Sequence, residues 1–428
     1  MRTNKKTQVL VVGAGPVGLT AAISLQQRGI DFEILDKTSG PSEHSKACLL
    51  SPETLAFFDD MGLLKSVLAR ALAIKGIQLF KGTDCTAVFD LSTLPSAFPF
   101  IVSIPQGELE DVLVSCLKAS KKKILWNHRV ARINRSAGGV LVTIDKLGRH
   151  MTGYAVMHEE MLVDRTFGLE AKVVLAADGF HSLIRRLNKI PYEAVGDTMG
   201  SVVFECQREQ NDDTMLTLGF SDLGASSHFP LPNHRSRYGF TMSQLEAVSA
   251  DRDKSHEVYD EDLGNFSGLG DQELKELLAS RMPYFAHRNL DIVWRAAVPF
   301  GIRLADQIWD NGIFLLGDSA RSGFPLSAKS INHGIPEAGK VVEAVDGYLQ
   351  TGDTNEIEIV AKSIRTEWED LASLAYFSAG EGMKSSPENI DLNLVLQTLP
   401  LTGDDLTFAA HKLDTYFAKS AKVLKGRS

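Results

Sequence analysis

Three stretches of the chain share one pattern: an apolar run fit for a buried strand, broken by glycine or aspartate, with a helical period soon after. The first runs Val9-Leu10-Val11-Val12 into Gly13-Ala14-Gly15-Pro16-Val17-Gly18 and an alanine-rich helix that stops near Arg28-Gly29. The second carries Val173-Val174-Leu175-Ala176-Ala177 into Asp178-Gly179, with a helix starting after Ser182. The third carries Ile313-Phe314-Leu315-Leu316 into Gly317-Asp318, then a loop, then a helix starting near Ile331. Between 197 and 243 the pattern changes to alternation in short segments divided by Asp, Gly, Pro and Asn, which predicts an antiparallel sheet. Further helices are expected after Ser51-Pro52, where serine caps and proline takes the first helical position, after Pro105-Gln106, at about 271–281 and through most of 355–428. The segment 147–168 is polar and mixed and shows no assignable period.

The first stretch has the chemistry of a phosphate-binding turn. Gly13 suits the tight turn, Gly15 lets a pyrophosphate approach the backbone, and Gly18 lets the helix pack closely on the strand. A second strand, Phe32-Glu33-Ile34-Leu35, then delivers Asp36, followed by Lys37, at the spacing of a carboxylate that binds a ribose hydroxyl. Residues 8–36 therefore read as an adenine-dinucleotide site. The fold class is α/β, with a Rossmann-like domain over 1–72, 105–195 and 303–354. An inserted mixed-sheet domain spans 73–104 and 196–302, and a helical C-terminal segment spans 355–428.

Composition narrows the function without naming it. The 428 residues have an apolar fraction of 44% and a net charge of −9, which gives no basic field for nucleic acid. Lys121-Lys122-Lys123 reads as a solvated helix end. Cys48, Cys85, Cys116 and Cys206 show neither paired nor metal-like spacing, so they are read as reduced thiols, and no metal site is expected. With no apolar leader and no run long enough to span a bilayer, the expected location is the cytoplasm.

Taken in order, Gly13-Ala14-Gly15-Pro16-Val17-Gly18, Asp178-Gly179 and Gly317-Asp318 resemble the three fingerprints of the single-component FAD-dependent aromatic hydroxylases, the para-hydroxybenzoate hydroxylase family. Pro325-Leu326-Ser327-Ala328-Lys329-Ser330-Ile331-Asn332 resembles that family's Pro-Thr-Gly-Ala-Lys-Gly-Leu-Asn loop, and Pro105-Gln106 a flavin-side motif. The resemblance implies an FAD-binding domain and a reaction in which NADH or NADPH reduces FAD and molecular oxygen adds as a flavin hydroperoxide. An oxygen atom then passes to a small aromatic substrate. It also implies roles for residues. Asp36 holds the adenosine ribose, Gln106 the linking chain, Asp318 the ribityl or pyrophosphate region, and Asp178-Gly179 both FAD and the transient nicotinamide. The helix from Ile331 points its positive end at the flavin, and Pro325 lines the space where substrate meets flavin. Gly317, Ala328, Lys329, Ser330 and Asn332 complete the cofactor set.

The chain departs from that pattern at Lys46, where the family has arginine, at Arg321, where it has histidine, and at Ser327 and Ser330, where it has glycines. Loop serines raise the question of positive φ, and Lys46 keeps a charge without a bidentate fork. In the sheet domain, His228 is a candidate to hydrogen-bond or deprotonate a phenol and Tyr238 to orient one, the alternative for each being packing. The expected function is hydroxylation of a phenolic or fused ring by a monomer or homodimer. The alternatives are N-oxygenation, epoxidation or oxidative rearrangement on the same fold, or flavin binding without turnover.

Overall fold

The computed structural model describes residues 5–43, 48–136, 138–152, 158–208, 214–242, 270–323, 326–379 and 392–425. Strand β1 (Lys5–Val12) leads through helix α1 (Pro16–Gln27) to strand β2 (Phe32–Leu35), and the two strands pair in parallel as a helical crossover requires. On the other side of β1 lies the end of the strand His158–Ala176, also parallel, and beyond it Ile313–Leu315. The three motif-bearing strands are thus neighbours in one sheet, and their carboxyl ends lie side by side. In an open α/β sheet that edge is where ligands bind.

Local chemistry explains the elements around this sheet. Ser51 Oγ accepts the Thr54 N–H at 3.3 Å and Pro52 opens the helix Pro52–Asp60, as expected, with Leu55 and Phe58 turned into the core. The helix Gln106–Ala119 buries Leu109, Leu113 and Leu117, one stripe at helical spacing. The helix Lys329–Thr351 packs with α1 against the same core.

The second sheet has eight strands, ordered Arg321–Ser322, Asp291–Ala305, Tyr192–Gln207, Arg235–Met242, Gly224–Leu231, Met215–Ser221, Gly76–Lys81 and Asp84–Asp90. It is mixed, because Met215–Ser221 pairs in parallel with Gly76–Lys81 while Arg235–Met242 is antiparallel to both its neighbours. Its strands come from Gly76–Lys81 and Asp84–Asp90 and then from the stretch between Tyr192 and Ala305, and Arg321–Ser322 joins its edge. One face packs under the helix Asp271–Arg281. The other, with Leu326 and with Leu396, Leu399 and Leu401 of the C-terminal segment, forms a separate apolar cluster.

Where it is described, at 147–152 and 158–168, the polar segment 147–168 turns out to be strand. Gly139–Thr152 and His158–Ala176 pair in antiparallel fashion, with His128–Ser136 beside the first. Periodicity failed there because much of this ribbon has no buried face. The C-terminal segment is helical over Asn355–Ala379, Leu392–Thr398 and Gly403–Lys425. Among the described residues no helix is long and apolar enough to cross a membrane.

Candidate functional site

Gly13 has φ of +105°, and a Cβ there would lie 2.2 Å from the Ala177 carbonyl oxygen, so the turn admits glycine alone. Its N–H donates to Leu35 O at 2.8 Å and the Ala14 N–H donates to Asp36 Oδ2 at 2.6 Å. Asp36 Oδ1 accepts from the Thr38 N–H and hydroxyl at 2.8 and 2.9 Å, which fixes the carboxylate at the tip of β2 with Lys37 exposed beside it. Gly15 is the N-cap of α1 and Pro16 its first residue, with no side chain capping the helix. The nearest atom to a Cβ built on Gly15 is Glu110 Oε1, at 4.0 Å. The first N–H groups of α1 and its positive end therefore face open space, an arrangement that takes an anion.

The other two stretches close on this turn. The Ala177 N–H donates to Val12 O at 2.7 Å, and the Leu316 N–H to Ala176 O at 2.8 Å. Val17 wedges between Gly317 and Gly334, where added Cβ atoms would come within 3.1 and 2.8 Å of its Cγ2. Gly18 abuts the Gly13 carbonyl, as close packing of helix on strand demands. Asp178 Oδ2 accepts the Ile184 N–H at 3.1 Å, while Oδ1 is buried without a partner. Burial raises its carboxyl, opposed by the Ser182 hydroxyl and the Ile184 N–H. Asp318 stands exposed at the tip of the third strand.

In the loop before the long helix, Ala328 takes the left-handed conformation, φ +51°, as N-cap of Lys329–Thr351. Neither Ser327 nor Ser330 has positive φ, so serine for glycine strains neither position. Both serines act as acceptors instead, Ser327 Oγ from the Lys329 N–H at 3.3 Å and Ser330 Oγ from the Gly323 N–H at 3.1 Å. Asn332 is a clamp. Its Oδ1 accepts from the Ser51 N–H at 2.7 Å and the Thr54 hydroxyl at 2.8 Å, and its Nδ2 donates to Leu49 O at 3.0 Å and Ala328 O at 2.9 Å. The Lys329 ammonium points away to Leu401 O at 2.9 Å, and burial lowers it to about 7. The Asn332 and Lys329 side chains are thus spent inside the protein and are not left for a cofactor. Gln106 Nε2 donates to Glu110 Oε1 at 2.8 Å. Lys46 and Pro325 lie outside the described residues.

Strand alternation decides which sheet residues meet the loop. A Cβ on Gly239 would lie 2.6 Å from Leu326 Cδ2 and 2.8 Å from Ser227 Oγ, so the face carrying Ser227, Phe229, Arg237 and Gly239 is the one turned to the loop. His228 and Tyr238, paired across the same two strands, lie on the opposite face in the core under Asp271–Arg281. His228 Nε2 is 2.9 Å from Ser236 Oγ, and its ring packs on Tyr238 and Phe285 at 4.9 and 4.4 Å. Burial, with Arg288 and Arg208 adding to it, holds this imidazole neutral far below the usual histidine range, and burial pushes the Tyr238 phenol up to about 12. Their placement corrects the expectation that they reach substrate: the parity of the strand turns them away from the loop.

Several residues that sequence reasoning passed over hold the site together. Arg185 donates from Nη1 to Ser319 O and from Nη2 to Phe180 O, both at 2.8 Å, tying the second motif to the third. Glu110 accepts the Ser42 N–H at 2.6 Å and so fixes the loop after Asp36. Arg237, over the Trp294 ring at 5.2 Å, donates from Nη1 to Cys48 Sγ at 3.4 Å where sheet and loop meet. Arg321 is buried in an ion pair with Glu337 and lies 4.7 Å above Trp368, on the far side of the long helix's first turns. His333, Glu337 and Glu367 lie within metal-ligand spacing of one another, but Arg321 already neutralises Glu337 there. For Arg185, Glu110 and Arg237 the only sequence signal was charge at a position with buried spacing, whereas Arg321 stands out in the sequence as a departure from the family's histidine.

The chain is 24% identical over 335 residues to pentachlorophenol 4-monooxygenase of Sphingobium chlorophenolicum, covering 77% of this chain and 56% of that one. It is 23% identical over 371 residues to para-nitrophenol 4-monooxygenase of a Pseudomonas strain, covering 80% and 79%. Some curated relatives are thus matched over little more than half their length. Among solved structures, p-nitrophenol 4-monooxygenase PnpA from Pseudomonas putida superposes with a TM-score of 0.73 at 18% identity, over 96% of this chain and 99% of that one, which shows the fold. Residues 6–355, holding every motif whose strand ends meet at the crevice, match the FAD binding domain family, and the chain belongs to that family.

Proposed function

We propose that this chain is an FAD-dependent monooxygenase that hydroxylates a phenolic or fused aromatic ring, using NADH or NADPH as reductant and molecular oxygen as co-substrate. The observation that carries the reading is the convergence of three motif-bearing strand ends on one crevice, before an uncapped helix N-terminus and the open backbone at Gly15. That cradle would be filled by any side chain at Gly15, and it fits a pyrophosphate. The names of the relatives support the substrate class.

FAD, when bound, supplies hydride acceptance and oxygen activation. The chain's own residues supply binding and position. With Pro16 opening the helix, the Gly15, Val17 and Gly18 N–H groups hold the pyrophosphate, Asp36 with Lys37 the adenosine ribose, Gln106 the linking chain, and Asp318 and Asp178-Gly179 the remaining polar groups of the cofactor. The backbone of Ala328–Asn332, at the positive end of a helix, stabilises negative charge that develops on the bound cofactor. Lys46 and Pro325 keep the roles the resemblance gives them, toward the nicotinamide and the substrate. Ser227, Phe229, Arg237 and Gly239 form the wall against which the aromatic ring is positioned and from which water is excluded. The cytoplasm, where free thiols such as the exposed Cys85 stay reduced, is the proposed location.

An anaerobic stopped-flow experiment tests this reading. Purified protein with FAD is mixed with NADH or NADPH, alone and with a panel of phenols and fused aromatics, and flavin absorbance is followed. One aromatic class is expected to accelerate bleaching at least tenfold. Tight FAD binding with no reduction by either nucleotide under any condition would overturn it.

A further inference from the structure

The sheet face turned to the loop has a gap near its middle. Val203 lies in a central strand, opposite Gly239 on one side and Ala296 on the other, yet it is only half-buried. With paired strands on both sides, a valine there reaches solvent only where packing above it is incomplete. Its neighbours along the row are the cause, since glycine and alanine carry too little side chain to cover it. Leu326 closes the gap over Gly239, where an added Cβ would lie 2.6 Å from its Cδ2. What remains is a recess floored by Val203 and Ala296.

The side chains bordering this recess are polar and buried. Ser201, Val203 and Glu205 share one face by strand alternation, and register sets Ser201 opposite Thr241 and Glu205 opposite both Arg237 and Trp294. Ser227, opposite Gly239, stands on the other side. The Ser201 and Ser227 hydroxyls are fully buried and have no hydrogen-bond partner. Glu205 is 2% exposed; its Oε1 accepts from Arg235 Nη1 at 3.0 Å, while Oε2 is buried with no partner. Of the charges beside it, Arg235 is thus spent on Oε1, and Arg237 lies over Trp294 with its Nη1 on Cys48 Sγ. Leaving a buried carboxylate oxygen without a donor is costly, and three such orphans around one gap mark a place for a ligand.

On the monooxygenase reading, we propose that Glu205 sets specificity for the aromatic substrate by accepting the hydrogen bond of its phenolic hydroxyl at Oε2. The ring lies over Val203 and Ala296, between Trp294 and Leu326. A carboxylate acceptor selects a neutral phenol, because its charge opposes ionisation of the bound hydroxyl. It rejects a ring with a methoxy group in the same place, which leaves Oε2 unpaired.

Equilibrium dialysis of the FAD-loaded protein, without nicotinamide nucleotide, against p-nitrophenol or p-nitroanisole tests this. Below the phenol's own pKa, the native chain is expected to bind the phenol at least tenfold more tightly than the ether. At that pKa, difference absorbance should show the bound phenol protonated. In Glu205→Gln the carbonyl oxygen stays with Arg235 and the amide nitrogen turns to the recess, replacing an acceptor by a donor. The tenfold preference should then vanish and the bound phenol should ionise. Val203→Phe fills the recess and leaves the carboxylate in place, and should weaken both probes at least tenfold. Every value is taken per mole of bound flavin, so a poorly folded variant does not mimic the effect. Equal affinity of the native chain for the two probes, binding of neither, a preference that survives in Glu205→Gln, or undiminished binding in Val203→Phe would each overturn the proposal. Flavin reduction stimulated by an aromatic can stand beside any of those results, so the monooxygenase reading holds or fails separately.

Discussion

The His228 imidazole sits among Tyr238, Phe285 and Ser236 with no route to the loop, and that placement makes a sharp prediction. Replacing it with phenylalanine removes one hydrogen bond and keeps the ring packing, so His228→Phe should cost about 1–2 kcal/mol in urea unfolding. The pH profile of flavin reduction and of turnover should stay that of the native chain; a displaced profile would mean the imidazole takes part after all. At this scale the sequence was readable where one residue's own stereochemistry decides the matter. Gly13 was legible because no side chain fits its φ, and Ser51 because an N-cap followed by proline is a local signal. His228 was not, since alternation defines two faces and only Leu326, far away in the chain, shows which one meets the loop. Arg185 and Glu110 were missed for the same reason: their partners, Ser319 and Ser42, are remote in sequence.

Among elements, the start of the Lys329–Thr351 helix depends on the segment at Leu49–Thr54 through three of the four side-chain hydrogen bonds of Asn332, those to Ser51, Thr54 and Leu49. Asn332→Ala would strand buried donors and acceptors on both sides, and a loss of about 2–4 kcal/mol is expected from thermal or denaturant unfolding, with weaker FAD retention on gel filtration. Gly13→Ala attacks the other side of the crevice. Its Cβ would collide with the Ala177 carbonyl at an unfavourable φ, so the variant should purify largely without flavin colour. Full flavin occupancy in Gly13→Ala would show that the turn does not lie against the cofactor. Strand-to-glycine junctions and capped helices could be read from the sequence because each is a local steric rule. The ribbon over 147–152 and 158–168 could not, because a strand with little buried on either face leaves no period to detect.

For the whole molecule, the C-terminal segment is fastened behind the loop by the bond from Lys329 to the Leu401 carbonyl. Burial lowers this ammonium to about 7, while in an unfolded chain a lysine titrates near about 10.4. Between those values the unfolded chain binds the extra proton, so stability rises with pH across that window, by up to about 1.4 kcal/mol per pH unit from this group, and gains nothing below it. Urea midpoints at pH 7, 8 and 9 should show that slope, and Lys329→Met should flatten it. An identical slope in the variant would assign the effect elsewhere.

The order of strands in the first sheet has a consequence for synthesis of the chain. The strand ending at Ala176 has β1 along one edge, while its other edge is covered by Gly139–Thr152 as far as Ala171 and, over 174–176, by Ile313–Leu315, made about 140 residues later. At ribosomal speeds of about 5–20 residues per second, that strand waits roughly 7–28 s with this last part of its edge bare. The helix that covers the core beside it emerges later still. Nascent chains stopped within the interval therefore carry a short open, apolar edge at Val174-Leu175-Ala176, and ribosome-bound holdases should crosslink there in chains stalled before residue 313 and release them once residue 351 has left the exit tunnel.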